Sequence, residues 1–261
     1  MKWERFSKEA PSWQEAESKD KLELEQIRMF QRLIEPMMDS LVAQVKPDVE
    51  SGRWGVVLGD DRGARLPALA MREILANAAR DNNTKTPDTF FVAAGVSRQG
   101  AEYENNLKQR IAVLKELIGN ERVLLVTDHI DSGKTIQRLS DLLQENEIQF
   151  DVVSLSRKIT KGDHPTEEDV VDVDPLLPPG SKFFVGKDKS DDGMIFWIRM
   201  QEYFMEDYKK RDDVGLNVSG NSAIASRDTE ADPAFLATAR ELNKEMADRL
   251  YEKHFKNGTN N

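Results

Sequence analysis

The chain contains no cysteine, which excludes disulfides, thiolate nucleophiles, iron–sulfur clusters and Cys-based zinc sites. Histidine occurs 3 times in 261 residues, too few for a multi-histidine metal centre. No run reaches the roughly 18 uncharged apolar residues of a membrane helix, so no membrane partner is expected. The first residues, Met1-Lys2-Trp3-Glu4-Arg5, carry no apolar signal-peptide core and mix both charge signs. A cytoplasmic protein is the expectation. Positive charge is also in deficit: 37 Lys+Arg stand against 47 Asp+Glu, a formal net charge of −10. General nucleic-acid binding is disfavoured, because phosphate backbones demand a basic footprint. A local cationic pocket remains compatible with that balance.

What is present suffices for a globular fold. Hydrophobic residues make up 39% and charged residues 32%, a core with a heavily solvated surface. The length allows one α/β domain of about 150 to 200 residues with extensions. Residues 18–47 read as a helix, with Ile27, Phe30, Ile34, Met37, Leu41 and Val45 on one stripe. Pro36 should break or kink it. Strands are expected at Trp54–Leu58, Thr89–Ala94, Arg122–Val126 and Phe150–Ser156, alternating with helices after Pro67, over Leu107–Ile118 and over Thr135–Asn146. That alternation implies a parallel sheet covered on both faces. Gly95–Asn106 reads as a mobile polar loop containing Tyr103, and residues 159–181 as an acidic, proline-rich loop. Lys182–Val185 and Met194–Ile198 suggest further short strands, and Asp232-Pro233 opens a last helix.

The segment richest in chemistry is Val123-Leu124-Leu125-Val126-Thr127-Asp128-His129-Ile130-Asp131-Ser132-Gly133-Lys134-Thr135. It reads as a buried strand, an acidic turn and a small-residue loop opening a helix. Such a loop presents backbone N–H groups and hydroxyls to an anion, and the helix dipole adds positive potential. Asp128 and Asp131 fall at the strand's C-terminal end, where parallel α/β sheets bind ligands. Gly133-Lys134-Thr135 invites a Walker A reading, but the position that motif reserves for its first glycine is Asp128. His129 reads as a loop filler.

This segment resembles the ribose-phosphate signature of type I phosphoribosyltransferases and is closest to the hypoxanthine-guanine branch. Val56–Leu75 resembles the strand, pyrophosphate loop and helix that open that fold. Asp151–Lys158 resembles the next strand, and Lys182–Gly186 the hood segment. The resemblance spans roughly residues 52–200. It reaches neither helical extension, so the chain is expected in three parts: an N-terminal helical extension, 1–50; a Rossmann-like α/β core with a small hood, 51–200; and a C-terminal helical extension with a disordered tail, 201–261.

The resemblance also implies roles. Asp131, Ser132, Gly133, Lys134 and Thr135 would hold the 5′-phosphate. Thr127 and Asp128 would meet the ribose, Asp128 also touching metal indirectly. Asp131 would be catalytic, handling the proton on the base. Asp60, Asp61, Arg62, Gly63 and Arg65 would face the pyrophosphate, Lys158, Phe183 and Phe184 the base, and Ser97 and Arg98 would belong to a closing lid. The implied activity is an Mg²⁺-dependent pentosyl transfer from phosphoribosyl pyrophosphate to a purine-like nucleobase, as in purine salvage, by a homodimer.

The sequence departs from the family at four places, one being His129, which follows Asp128 where the family usually has an apolar residue and could touch ligand or only fill a loop position. Thr127 stands where the family has the first acid of its pair. Lys187–Gly193 makes the hood highly charged. Asp60 and Asp61 put two acids in the loop that would face a polyanion. These departures keep a second reading open: a non-catalytic regulator of the same fold that senses phosphoribosyl pyrophosphate or nucleotides.

Overall fold

The computed structural model describes residues 13–60, 63–95, 100–157, 172–186, 216–217, 226–227 and 233–257. The apolar runs form the expected strands: β1 (Val56–Asp60), β2 (Asp88–Val92), β3 (Val123–Ile130), β4 (Phe150–Arg157) and β5 (Phe183–Val185). All pair in parallel in the order β2-β1-β3-β4-β5. A two-residue antiparallel pair, β6 (Leu216–Asn217) with β7 (Ser226–Arg227), stands apart from this sheet.

Helices cover both faces, so the molecule is an α/β fold. Helices α1 (Trp13–Glu50), α2 (Arg65–Asp81) and α5 (Pro233–Tyr251) share one buried cluster with Val57, Leu124, Val126 and Val153. Helices α3 (Ala101–Ile118) and α4 (Lys134–Glu145) close the other face over Val56, Leu58, Leu125 and Val152. Strand residues thus alternate between the two clusters, as a period of two requires. Helix α1 is tied by ion pairs to α5, Arg249 to Glu35 at 3.0 Å, and to the turn Glu252–Lys256 that follows it, Lys253 to Asp39 at 2.6 Å.

Two expectations are corrected. Pro36 does not end α1, which runs through both Pro36 and Pro47. An interior proline costs about 3 kcal/mol, but Ile34, Met37, Met38, Leu41 and Val42 around it are all buried, and that packing outweighs the lost backbone bond. The second half of the supposed loop at Gly95–Asn106 is the start of α3, and Tyr103 is fully buried within it. Its hydroxyl donates to the Ala93 carbonyl, and the Arg138 guanidinium lies 4.8 Å from its ring centroid. Met194–Ile198 lies outside the described residues.

Candidate phosphate-binding site at the strand ends

In an order β2-β1-β3-β4-β5 the direction of winding reverses between β1 and β3. The crevice at their C-terminal ends is where open α/β sheets bind ligands. The sequence motif falls there. Val123–Val126 are almost wholly buried, Thr127 is 3% exposed, and Asp128 and His129 are half-buried. Strand β3 continues to Ile130, further than its apolar run suggests. Residues 124, 126 and 128 share one face and 123, 125, 127 and 129 the other.

That alternation sends Asp128 and His129 to different neighbours. Asp128 meets the loop after β1: a Cβ added to Gly63 would lie 1.9 Å from its Oδ2. Glycine at 63 is therefore what lets the β1 loop and the Asp128 carboxylate share the crevice. Asp128 Oδ1 also accepts from the His129 N–H at 2.8 Å. The His129 ring goes to the opposite face, its Nδ1 2.8 Å from Ser156 Oγ on β4. His129 is thus a strand residue anchored to the neighbouring strand, not a loop filler. Spacing carried a signal for this: Thr127 and His129 alternate with Asp128 in a strand period. Ser156 was not singled out by sequence.

Beyond Ile130 the chain turns through Asp131 and Ser132, both exposed, into Gly133. Gly133 has φ 73°, the left-handed conformation that glycine adopts without strain. The first turn of α4 closes when Gln137 N–H donates to the Gly133 carbonyl at 2.8 Å. No side chain caps this helix start and no acidic residue lies in its first turn. A helix start of this kind carries partial positive charge and unpaired N–H groups directed along its axis. Lys134 is exposed and Thr135 half-exposed beside it.

The other predicted residues divide. Asp60 ends β1 at 6% exposure and accepts from the Ala94 N–H at 3.4 Å. Asp61, Arg62, Ser97, Arg98, Lys158 and the hood residues Lys187–Gly193 lie outside the described residues. Phe183 and Phe184 are half-buried on opposite faces of β5. Phe184 makes an edge contact with Trp54 at 6.3 Å, and the Arg157 guanidinium lies 5.9 Å over Phe183. Arg65 opens α2 rather than closing the loop before it. Its guanidinium lies 5.1 Å over the Phe91 ring, on the sheet face that α2 and α5 cover. Among the described residues no three His or acidic side chains cluster as metal ligands, and no helix is long and apolar enough to cross a membrane.

No model of a known protein family matches the sequence, and no curated protein does. Solved structures give distant likenesses. A hypothetical protein from Neisseria gonorrhoeae with bound ppGpp aligns with 59% of this chain and 78% of its own, at 15% identity and a TM-score of 0.35. An adenine phosphoribosyltransferase aligns with 57% of this chain and 76% of its own, at 12% identity and a TM-score of 0.34. A hypoxanthine-guanine phosphoribosyltransferase from Schistosoma mansoni in complex with IMP aligns with 59% of this chain and 65% of its own, at 18% identity and a TM-score of 0.34. These are likenesses of fold, and the chemistry of the site rests on this chain's own residues.

Proposed function

We propose that the chain is a phosphoribosyltransferase, moving ribose 5-phosphate from phosphoribosyl pyrophosphate to a purine-like nucleobase and releasing pyrophosphate. One observation carries this reading: the Asp128–Thr135 segment joins the end of a central parallel strand to an uncapped helix start through left-handed Gly133. The amides of that start and the hydroxyls of Ser132 and Thr135 hold the 5′-phosphate. Asp128, pressed against Gly63, binds the ribose hydroxyls. Thr127, 3% exposed on the opposite face of β3, backs Asp128 in this contact. As the bond from the anomeric carbon to pyrophosphate breaks, positive charge builds on the ring. Asp131 takes the proton released by the attacking nitrogen of the base. Asp60, Asp61, Arg62 and Gly63 border the departing pyrophosphate. Lys158 and Phe183 would face the base, while Phe184 turns to Trp54 on the other sheet face, and Ser97 and Arg98 would belong to a lid that excludes water.

An Mg²⁺ ion would supply charge stabilisation to the leaving oxygens. Mg²⁺ commonly takes only one or two carboxylates and completes its shell with substrate oxygens and water. A strand end with Asp128, and no wider acidic cluster among the described residues, fits an ion carried in by its substrate. A cytoplasmic homodimer is the assembly we infer.

A second reading, a sensor of the same ligand without turnover, is favoured by Thr127. A 3% exposed threonine brings no charge to the place of the first acid. Calorimetric titration with phosphoribosyl pyrophosphate, with and without Mg²⁺, followed by a screen of purines for pyrophosphate release, tests both. Mg²⁺-dependent binding with release supports the enzyme, and binding without release from any base supports the sensor. No binding at millimolar ligand by the folded protein overturns both.

A further inference from the structure

Among the described residues a cavity of about 420 Å³ opens between α2, the start of β2 and α5. It lies on a helical flank of the sheet, apart from the start of α4. Arg65 and Arg72 from α2 face Arg240 and Lys244 from α5, and the carboxylates in the lining are Glu73 and Asp88. The lining therefore carries a net charge of +2 in a chain whose total is −10.

The two carboxylates are already engaged. Glu73 pairs with Arg72 at 3.3 Å, Arg80 at 3.6 Å and Lys244 at 4.0 Å, and Asp88 with Lys85 at 3.7 Å, while Lys244 itself holds Asp248 at 2.6 Å. Arg65 rests over Phe91 rather than on an acid. Burial first, and then the like charge of Arg240, lower its pKa to about 10. Asn243 supplies an independent observation. It lines the cavity at 3% exposure, and its Oδ1 has no hydrogen-bond partner among the described residues. A buried amide oxygen is normally paired, and this one belongs to a residue that lines the cleft.

We propose that this cleft binds a phosphate monoester dianion, with Arg65 and Arg240 on its oxygens, the Lys244–Asp248 pair at its rim and a hydroxyl or amino group of the same molecule on Asn243. The volume lies within the usual span of small-molecule sites, about 300 to 1,000 Å³. The net charge matches a phosphate monoester, which carries about −1.5 to −2 at neutral pH. Arginine forks suit its paired oxygens. An entering dianion restores the favourable environment that burial denies Arg65.

The test is calorimetric titration of the full chain with ribose 5-phosphate. Two double variants separate this cleft from the strand-end cradle: Arg240→Gln with Lys244→Gln, and Ser132→Ala with Thr135→Val. Arg240 and Lys244 are exposed at their ends, so the first pair leaves the core intact. The expected result is at least a tenfold loss of one equivalent of binding in the α5 variant, with that equivalent retained in the cradle variant. Full binding by the α5 variant, no binding by the cradle variant, or none by the parent chain overturns the proposal. Failure of the phosphoribosyl reading looks different: the cradle variant then binds as the parent does. Asn243→Leu gives a second measurement. It should keep or raise the Tm of the ligand-free protein, because the buried amide oxygen it removes has no partner among the described residues, and weaken ribose 5-phosphate binding severalfold. Unchanged affinity in that variant counts against the proposal.

Discussion

The two ends of the same sheet are built on opposite plans. At the N-terminal end, Asp151 enters β4 with no solvent exposure and accepts five hydrogen bonds. They come from Arg53 and Trp54 ahead of β1, Arg122 ahead of β3 and the Lys182 amide ahead of β5, at 2.6 to 3.1 Å. Burial alone would raise the Asp151 pKa, but these bonds and the Arg122 charge hold it below the usual carboxylate value. At the C-terminal end, Asp131, Ser132 and Lys134 stand exposed around an uncapped helix start. One end spends its polar groups on joining strands. The other keeps polar groups at the surface, where a ligand can reach them.

Asp151→Ala should give the largest effect. It leaves Arg53 and Arg122 facing a buried gap, and breaking a buried ion pair costs about 3–5 kcal/mol; urea denaturation measures it. The pH dependence has a definite sign. A carboxylate with a lowered folded-state pKa contributes stability above its unfolded value, about 3.9. That contribution should disappear as pH falls through the folded-state pKa, and Asp151→Asn should flatten the acid limb. An unchanged acid limb in the variant would show that other carboxylates govern acid unfolding.

Asp131→Asn probes the other end and should reverse the pattern. The side chain is exposed, so stability should move by no more than about 0.5 kcal/mol. Turnover, measured as pyrophosphate release, should drop by about 10² or more, the usual worth of a positioned general base. A normal rate would remove Asp131 from the chemistry.

The two ends also differ in how far the sequence reveals them. The cradle is local: Asp128 through Thr135 are contiguous, and their order alone places carboxylate, hydroxyls and glycine at a strand end. Strands β1, β3 and β4 are equally plain, because parallel strands buried on both faces read as continuous apolar runs. The Asp151 hub is dispersed over residues 53 to 182, and no spacing links those positions before the sheet assembles. Tyr103 escaped for a related reason. Its polar neighbours suggest a loop, and only the distant Ala93 carbonyl and Arg138 explain its burial. Arg65 looks like a loop cation until Phe91 on the adjacent strand gives its guanidinium a seat.

Gly133→Ala tests whether the cradle depends on its backbone. A φ of 73° costs a side-chain-bearing residue about 1–2 kcal/mol. The variant should lose about that much stability and bind phosphoribosyl pyrophosphate more weakly, because relaxing the strain turns the helix-start amides. Lost stability with unchanged binding would show that those amides do not hold the phosphate.

Ser156→Ala should give the smallest effect and separates support from contact. It removes the partner 2.8 Å from His129 Nδ1, worth about 1 kcal/mol for a neutral hydrogen bond. Asp128 points to the other face of β3, so its approach to Gly63 should survive. Affinity for phosphoribosyl pyrophosphate should then stay within about twofold, well under the tenfold that ~1.4 kcal/mol represents. A larger loss of affinity at unchanged stability would mean that His129 itself reaches the ligand. The chemically busy face of β3 would then be the one shared with β4 rather than the one facing the β1 loop.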